Sequence, residues 1–504
     1  MAARGLPVSK PWRGISMWAE LLQILLVLLL ILSGIHRFML WVESGLAGDP
    51  ETPEPFQPDS YLPEILVQIP VYNDAHALQS QLDCLRRIEY PRSKLQIQIL
   101  DDSDDGSARE NANRIGELAR EGIPVSVIRR DQRSGYKAGA LAAGLVLSEA
   151  EFVAIFDADF QIPDRFLLQT LPHFDDPAVG WVQCRWGYTN RDKNFLTRAQ
   201  ARLLDGHFRI EHRARSHGGR FFNFNGTAGL WRRKTIDTSG GWSGRTVVED
   251  TDLSMRAWNQ GWRGVYRDDI VCHGLLPESF SAFRTQQRRW LAGGMQLLLT
   301  PTIERTEGSF LTRFDFNARA IAPLVSVVVV ALTVLAPLRR IFPEDLGPAP
   351  WVFRVLGTPL FESFFIASAF IGVLVYYAST GGGRFSRWME SLLVLLLGTG
   401  FSFYGCVCCC AGILGQITVF ERTPKSLAAR GGRSITLWEW GALPLLVWLT
   451  AEVMLKGAWS ALPLVTMSLV GLVWSFLGSR GNAMGEGIPS GFSSTCRNVS
   501  DSVV

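Results

Sequence analysis

Hydrophobic and polar positions divide the 504-residue chain into three textures. Near the N-terminus, Leu21 to Ile35 is nearly all Leu, Ile and Val, inside an apolar run from Met17 to Trp41. That run is long enough to cross a bilayer. It is too long for a secretory signal, and no small-residue cleavage site follows it. A Pro-rich acidic linker comes next, Gly48 to Pro58. From Tyr61 to Gly308 the pattern turns globular. Short apolar runs with β-branched residues (Ile65–Ile69, Gln96–Leu100, Val125–Ile128, Phe152–Phe156, Gly180–Gln183) alternate with helix-like stretches such as Ala75–Ile88 and Arg109–Arg120. This alternation predicts an α/β fold, a parallel sheet with both faces covered by helices. Ligands then bind beyond the carboxyl ends of the strands.

Beyond Leu311 the long apolar runs return. Asn317–Leu338, Gly357–Tyr377, Met389–Gly415, Leu437–Leu455 and Trp459–Leu477 predict a membrane region of four to five helices. The tail from Gly478 is rich in Gly and Ser and is expected to be disordered. The expected organisation is a transmembrane segment over 1–47, a linker over 48–60, a globular domain over 61–310, a membrane region over 311–478 and a tail over 479–504.

Composition adds two points. Charged residues make up 19% of the chain, below the roughly 25% of soluble domains, which agrees with a membrane portion. The net charge is only +3, with no basic arm, so no nucleic-acid partner is expected. The eight cysteines follow no framework spacing. Cys406, Cys408, Cys409 and Cys410 crowd one apolar run and read as small residues of a membrane helix, with palmitoylation as a second reading.

The chemistry is carried by acidic clusters. Leu100 is followed by Asp101, Asp102, Ser103, Asp104 and Asp105, and Phe156 by Asp157, Ala158 and Asp159. Carboxylates massed at strand ends repel one another unless a cation or a donor sits among them. A diphosphate with Mg²⁺ or Mn²⁺ satisfies this, because such ions take one or two carboxylates plus phosphate oxygens. If the strand stays extended, Asp157 and Asp159 point to the same face. A polar turn is the plainer reading of either cluster alone. Glu249, Asp250 and Asp252 stand at a predicted helix start, where carboxylates are stabilised. They serve either as caps or as a base that takes a proton from an attacking hydroxyl. In Gln286-Gln287-Arg288-Arg289-Trp290, Gln286, Arg289 and Trp290 share one helix face. Trp290 can stack on a sugar ring and Arg289 can clamp a diphosphate. The competing reading is an interfacial helix with Arg and Trp at headgroup level.

These four elements in this order resemble family-2 glycosyltransferases of the cellulose-synthase-like branch. The flanking segments Val67–Asn73, Lys137–Leu141, Phe224–Gly229 and Arg422–Lys425 are most similar to the plant mannan-synthase type and its bacterial relatives. The close resemblance runs from Glu64 to Leu298, with a looser one through Lys425. It implies a Rossmann-like GT-A nucleotide-sugar domain inserted between transmembrane helices. It assigns Tyr72, Asp101, Asp102, Lys137 and Asp157 to the nucleotide, and Asp157 and Asp159 to a divalent ion. Asp250 is then the base, and Glu249, Gln286, Arg289 and Trp290 line the acceptor and diphosphate. The triplet Val248-Glu249-Asp250 lacks the leading Thr of the pattern but keeps its carboxylates.

The implied reaction is inverting transfer from UDP-glucose or GDP-mannose to a growing β-glucan or (gluco)mannan, with the processive kind of synthesis, in which the product stays bound, expected. A glycolipid synthase acting on ceramide or diacylglycerol shares every motif; the additional C-terminal spans and the Arg422–Lys425 segment favour the polymer. A transporter or scaffold with a degenerate nucleotide fold is disfavoured, because every chemistry-bearing position is filled. The implied location is a multi-pass membrane protein, of a bacterial inner membrane or the Golgi. Arg4, Lys10 and Arg13 favour a cytosolic N-terminus, whereas a cytosolic catalytic domain suits the donor. Arg422, Lys425, Arg430 and Arg433 argue for a cytosolic loop, so Met389–Gly415 is expected to re-enter or to lie at the interface.

Overall fold

A computed structural model describes residues 13–48, 62–300, 309–341, 358–417, 423–424 and 435–484. Residues 49–61, which include nearly all of the linker, the 425–434 basic segment with Arg422, and the tail from 485 lie outside them. The strands are β1 Ile65–Val71, β2 Leu95–Asp101, β3 Val125–Ile128, β4 Phe152–Ile155, β5 Val179–Tyr188, β6 Gly229–Arg232 and β7 Arg263–Gly274. The principal helices are α1 Arg13–Leu46, α2 Ala75–Arg87, α3 Ser107–Arg120, α4 Tyr136–Leu145, α5 Glu249–Asn259, α6 Phe280–Leu298, α7 Phe310–Ala320, α8 Val325–Ile341, α9 Pro359–Ala378, α10 Arg384–Ile413, α11 Leu437–Leu455 and α12 Leu462–Met484.

One sheet organises the domain, in the order β3-β2-β1-β4-β6-β5-β7. Its first four strands are parallel, and β1, β2 and β4 are buried on both faces along most of their length. Ile65, Val67 and Ile69 enter one core layer and Leu66 the other. Continuous apolar runs in sequence reflect this two-sided burial. The register pairs Val71 with Asp101 and Gln68 with Ile155. The ends of β1, β2 and β4 therefore open onto one edge.

The sheet is mixed rather than wholly parallel. β6 pairs antiparallel with β4 and with β5. Ahead of β6 the chain turns through Gly226 (φ +82°) and Ala228 (φ +60°), left-handed conformations that bend the backbone sharply. Gly229 follows where a Cβ would lie 2.5 Å from the Phe224 ring and 2.6 Å from the Val182 carbonyl. β6 and β7 carried no clear apolar run of their own; pairing with neighbours orders them.

The C-terminal helices pack against the domain through α6. Phe280 and Phe283 of α6 join Leu397, Phe401 and Tyr404 of α10. Arg284 is fully buried and pairs with Glu439 of α11 at 2.8 Å, with the Ser475 hydroxyl at 2.5 Å. Three described helices are long and apolar enough to cross a membrane: α1 over Leu21–Leu46, α10, and α12 over Leu462–Ser479. A fourth arises if Phe310–Ala320 and Ala322–Leu338, bent by 50°, make one broken span. Most of Met389–Gly415, expected to re-enter or to lie at the interface, falls within α10. α10 is a single unbroken helix of 30 residues, and the bend of the other pair falls at Ile321–Pro323, where Pro removes a backbone donor.

Candidate active site

The site is assembled at the open sheet edge, starting from α4. Gly135 (φ +70°) and Tyr136 (φ +48°) turn the chain into this helix. Buried amides fix its position: Gln68 donates to Gln98 at 3.0 Å and to the Leu141 carbonyl at 3.2 Å, and Gln98 donates to the Gly144 carbonyl at 2.9 Å. A Cβ on Gly144 would stand 2.5 Å from Gln98 Oε1, so only glycine permits this approach. The first turn of α4 then projects Lys137 across the sheet edge. Its Nζ donates to Asp157 Oδ1 at 2.5 Å and to the Gly226 carbonyl at 2.9 Å. Burial opposes the Lys137 charge, but Asp157, Glu249 and Asp250 outweigh it and raise its pKa.

Asp157 and Asp159 do not continue β4 as extended strand. The chain turns at once, with Phe160 N–H donating to the Asp157 carbonyl at 2.9 Å and Asp157 N–H donating to Thr227 Oγ1 at 2.9 Å. Both carboxylates nevertheless line one cleft with Tyr72, Asp102, Lys137 and Arg289. Arg133 stacks its guanidinium 3.3 Å from the Tyr72 ring centroid, a flat cationic and aromatic surface of the kind that receives a base. Asp102 is clamped by Arg130 through two bonds, 3.0 and 2.5 Å. The structure does not bring Asp101 into the cleft. Its carboxylate is buried, accepting from Ser103 N–H at 3.0 Å and Arg129 at 3.0 Å. Thr423 also lines the cleft.

A larger cavity of about 470 Å³ adjoins this cleft, and Lys137, Asp157 and Arg289 line both. Glu249, Asp250, Gln286 and Trp290 face the larger one. Close packing puts them together. A Cβ on Gly293 of α6 would meet Val248 Cγ1 at 2.5 Å, and one on Gly226 would meet Asp250 Oδ2 at 2.8 Å. Burial raises the pKa of both carboxylates. Glu249 reaches about 7, from burial first and the neighbouring Asp250 charge second, while Lys137 and Arg289 pull the other way. Asp252 faces inward, paired with Arg245 at 2.6 Å and Arg256 at 3.0 Å, and serves structure.

Several cavity residues carry no motif. The segment Gly206–His212 is π-helical, a form frequent at functional sites. It presents His207, 3.1 Å from Asn225 Oδ1 and 3.2 Å from Glu211 Oε2. Arg133 was equally silent as chemistry. Only the polar positions inside an otherwise buried helix could have drawn attention to His207 and Glu211.

The donor set fits a divalent ion. Among the described residues no three His, Cys, Asp or Glu side chains converge to hold a metal by themselves. Asp157 and Asp159 offer carboxylates on one turn, facing a cleft whose cations would hold a diphosphate. That is the pattern of an ion that completes its shell with phosphate oxygens.

A mixed sheet with acidic turns at its open edge and a two-part cleft defines a GT-A-type domain. The same fold occurs in the mannosyltransferase PcManGT from Pyrobaculum calidifontis, solved in complex with GDP-Man and Mn2+, at TM-score 0.51 and 18% identity over 71% of this chain and 97% of that one. Residues 152–380 match the model of Glycosyl transferase family group 2. Those residues carry a family-2 glycosyltransferase domain. Among its relatives, "Probable glucomannan 4-beta-mannosyltransferase 1" of Arabidopsis thaliana is 34% identical over 365 residues, 66% of this chain and 65% of the relative. "Probable glucomannan 4-beta-mannosyltransferase 4" of Oryza sativa subsp. japonica is 39% identical over 293 residues, 55% of this chain and 53% of the relative. The match thus spans between half and two thirds of these relatives' length.

Proposed function

We propose that the protein is an inverting β-glycosyltransferase that extends a polysaccharide from a nucleotide sugar, with GDP-mannose as donor and a (gluco)mannan as product. The junction of the two cavities carries this reading. Lys137, Asp157 and Arg289 line both, whereas Asp159 lines only the smaller and Asp250 only the larger. A donor in the smaller cleft would present its diphosphate to the junction, and an acceptor in the larger cavity would approach from the side of Asp250. The relatives' names favour mannose over glucose.

Asp250 takes the proton from the acceptor hydroxyl as its oxygen bonds to the anomeric carbon. The bond from that carbon to the diphosphate oxygen breaks on the opposite side, so an α-linked donor gives a β-linked product. A buried base with a raised pKa is matched to this task near neutral pH. Lys137 and Arg289 receive the charge that develops on the leaving diphosphate. A divalent ion held by Asp157 and Asp159 would supply further neutralisation of that diphosphate. Tyr72 and Arg133 stack on the base, and Trp290 supports the acceptor sugar. Gln286, on the same face of α6, orients it. Three to four helices of sufficient length favour a multi-pass membrane protein, with the domain on the cytosolic side, where the donor is made.

Incubating purified membranes with labelled GDP-mannose tests the reading. A long insoluble glycan is expected, and a single organic-soluble lipid product would establish a glycolipid synthase instead. An absence of transfer with GDP- and UDP-sugars alike would overturn the proposal.

A further inference from the structure

A third cavity, of about 620 Å³, lies where the C-terminal turn of α1 meets the domain, away from the catalytic cleft. Arg185, Arg209 and Arg213 line it, against one lining carboxylate, Asp268. Asp268 is already engaged. Its Oδ2 pairs with Arg213 at 3.1 Å, and its backbone carbonyl accepts from Arg185 Nε at 2.6 Å. Arg209 reaches Asp205 only at 3.5 Å, because Arg191 holds the other oxygen of that carboxylate at 2.8 Å. Burial and the neighbouring Arg209 lower the Arg185 pKa, the mark of cations held together with too little counter-charge.

The apolar side of the cavity points to the kind of anion. Val42 and Leu46 line it. They continue a stripe on α1 formed with Ile35 and Phe38, whose exposures run from 38% to 76%. The spacing of three, four and four residues keeps the stripe on one helix face. With α1 crossing the bilayer, the stripe lies at acyl-chain depth and the arginines lie at headgroup level.

We propose that this cavity binds an anionic glycerophospholipid, its phosphate between Arg185 and Arg209 and one acyl chain along Ile35, Phe38 and Val42. Such a lipid supplies the missing negative charge and covers the exposed stripe together. Basic pockets beside membrane helices favour anionic headgroups in this way. The site is independent of the reaction proposed above.

Native mass spectrometry of the full chain in detergent, titrated with phosphatidylglycerol or phosphatidylcholine, tests the site. Phosphatidylglycerol should bind at least about tenfold tighter than phosphatidylcholine, and Arg209→Gln should weaken it about fivefold. The double variant Arg185→Gln/Arg209→Gln should lose the preference. Inorganic phosphate at the lipid concentration should not displace the lipid. Equal affinity for both lipids, or an unchanged affinity in Arg209→Gln, would overturn the proposal. So would displacement by free phosphate, which would make this a soluble-anion site. Arg209 is 44% exposed, so its variant remains informative if Arg185→Gln fails to fold.

Discussion

Two pairs of adjacent carboxylates stand at the open edge of the sheet, and the protein treats them oppositely. Asp101 and Asp102 end β2, and each meets an arginine: Asp101 meets Arg129 at 3.0 Å and Asp102 meets Arg130 at 2.5 Å. Glu249 and Asp250 begin α5. Among the described residues, no salt bridge within 4.0 Å reaches either one. Asp250 instead accepts from Thr251 N–H at 2.7 Å, and burial raises both pKa values. Paired acids spend their charge on holding loops in place. Buried acids without a contacting cation stay basic enough to accept a proton. Sequence spacing is the same in both pairs, so the neighbours decide which pair can do chemistry.

Asp250→Asn should break this contrast most strongly. Turnover should fall by about 10³-fold or more, while nucleotide-sugar affinity, measured by calorimetry, stays within about threefold. Retained polymer synthesis would remove Asp250 from the base role. Gly226→Ala comes next. The φ of +82° and the 2.8 Å approach to Asp250 Oδ2 leave no room for a methyl group. Displacing the base should lower kcat about 10- to 100-fold, with KM for the donor little changed.

Asp102→Asn should act on stability instead. Breaking this part-buried ion pair should cost less than the roughly 3–5 kcal/mol of a fully buried one, read as a lower denaturation midpoint, whereas Asp250→Asn should leave the midpoint unchanged or raise it. Equal losses in the two variants would erase the distinction between the pairs. The smallest effect concerns pH. Glu249 has a folded pKa of about 7, raised from 4.5, so the folded state binds the extra proton between those values. Stability from this group is full below about pH 4.5 and is lost as pH rises through about 7. Comparing thermal midpoints across this window, Glu249→Gln should flatten the slope relative to the parent. An identical slope in both would place the raised pKa elsewhere.

Much of the domain was legible because its signals are local. Five strands could be read from short apolar runs rich in β-branched residues, since most of their positions are buried. β6 and β7 could not be read. The four residues Gly229–Arg232 become a strand only between β4 and β5. The turn at Asp157–Phe160 was equally hidden, because the bond from Asp157 N–H to Thr227 Oγ1 joins residues 70 positions apart. His207 and Glu211 had no motif, since their place in the cavity depends on a π-helical segment and on packing against α9. There the Tyr376 hydroxyl donates to the Gly206 carbonyl at 3.2 Å.

The sequence alone pointed to an α/β region flanked by long apolar runs. It also determined the set of carboxylates, because apolar runs and ordered motifs are properties of neighbouring residues. Tertiary structure alone decided which acid is clamped and which is poised, and that Asp101 turns inward while Asp157 reaches the junction. Charge and proton affinity depend on what lies within a few ångströms, and here those neighbours come from distant parts of the chain.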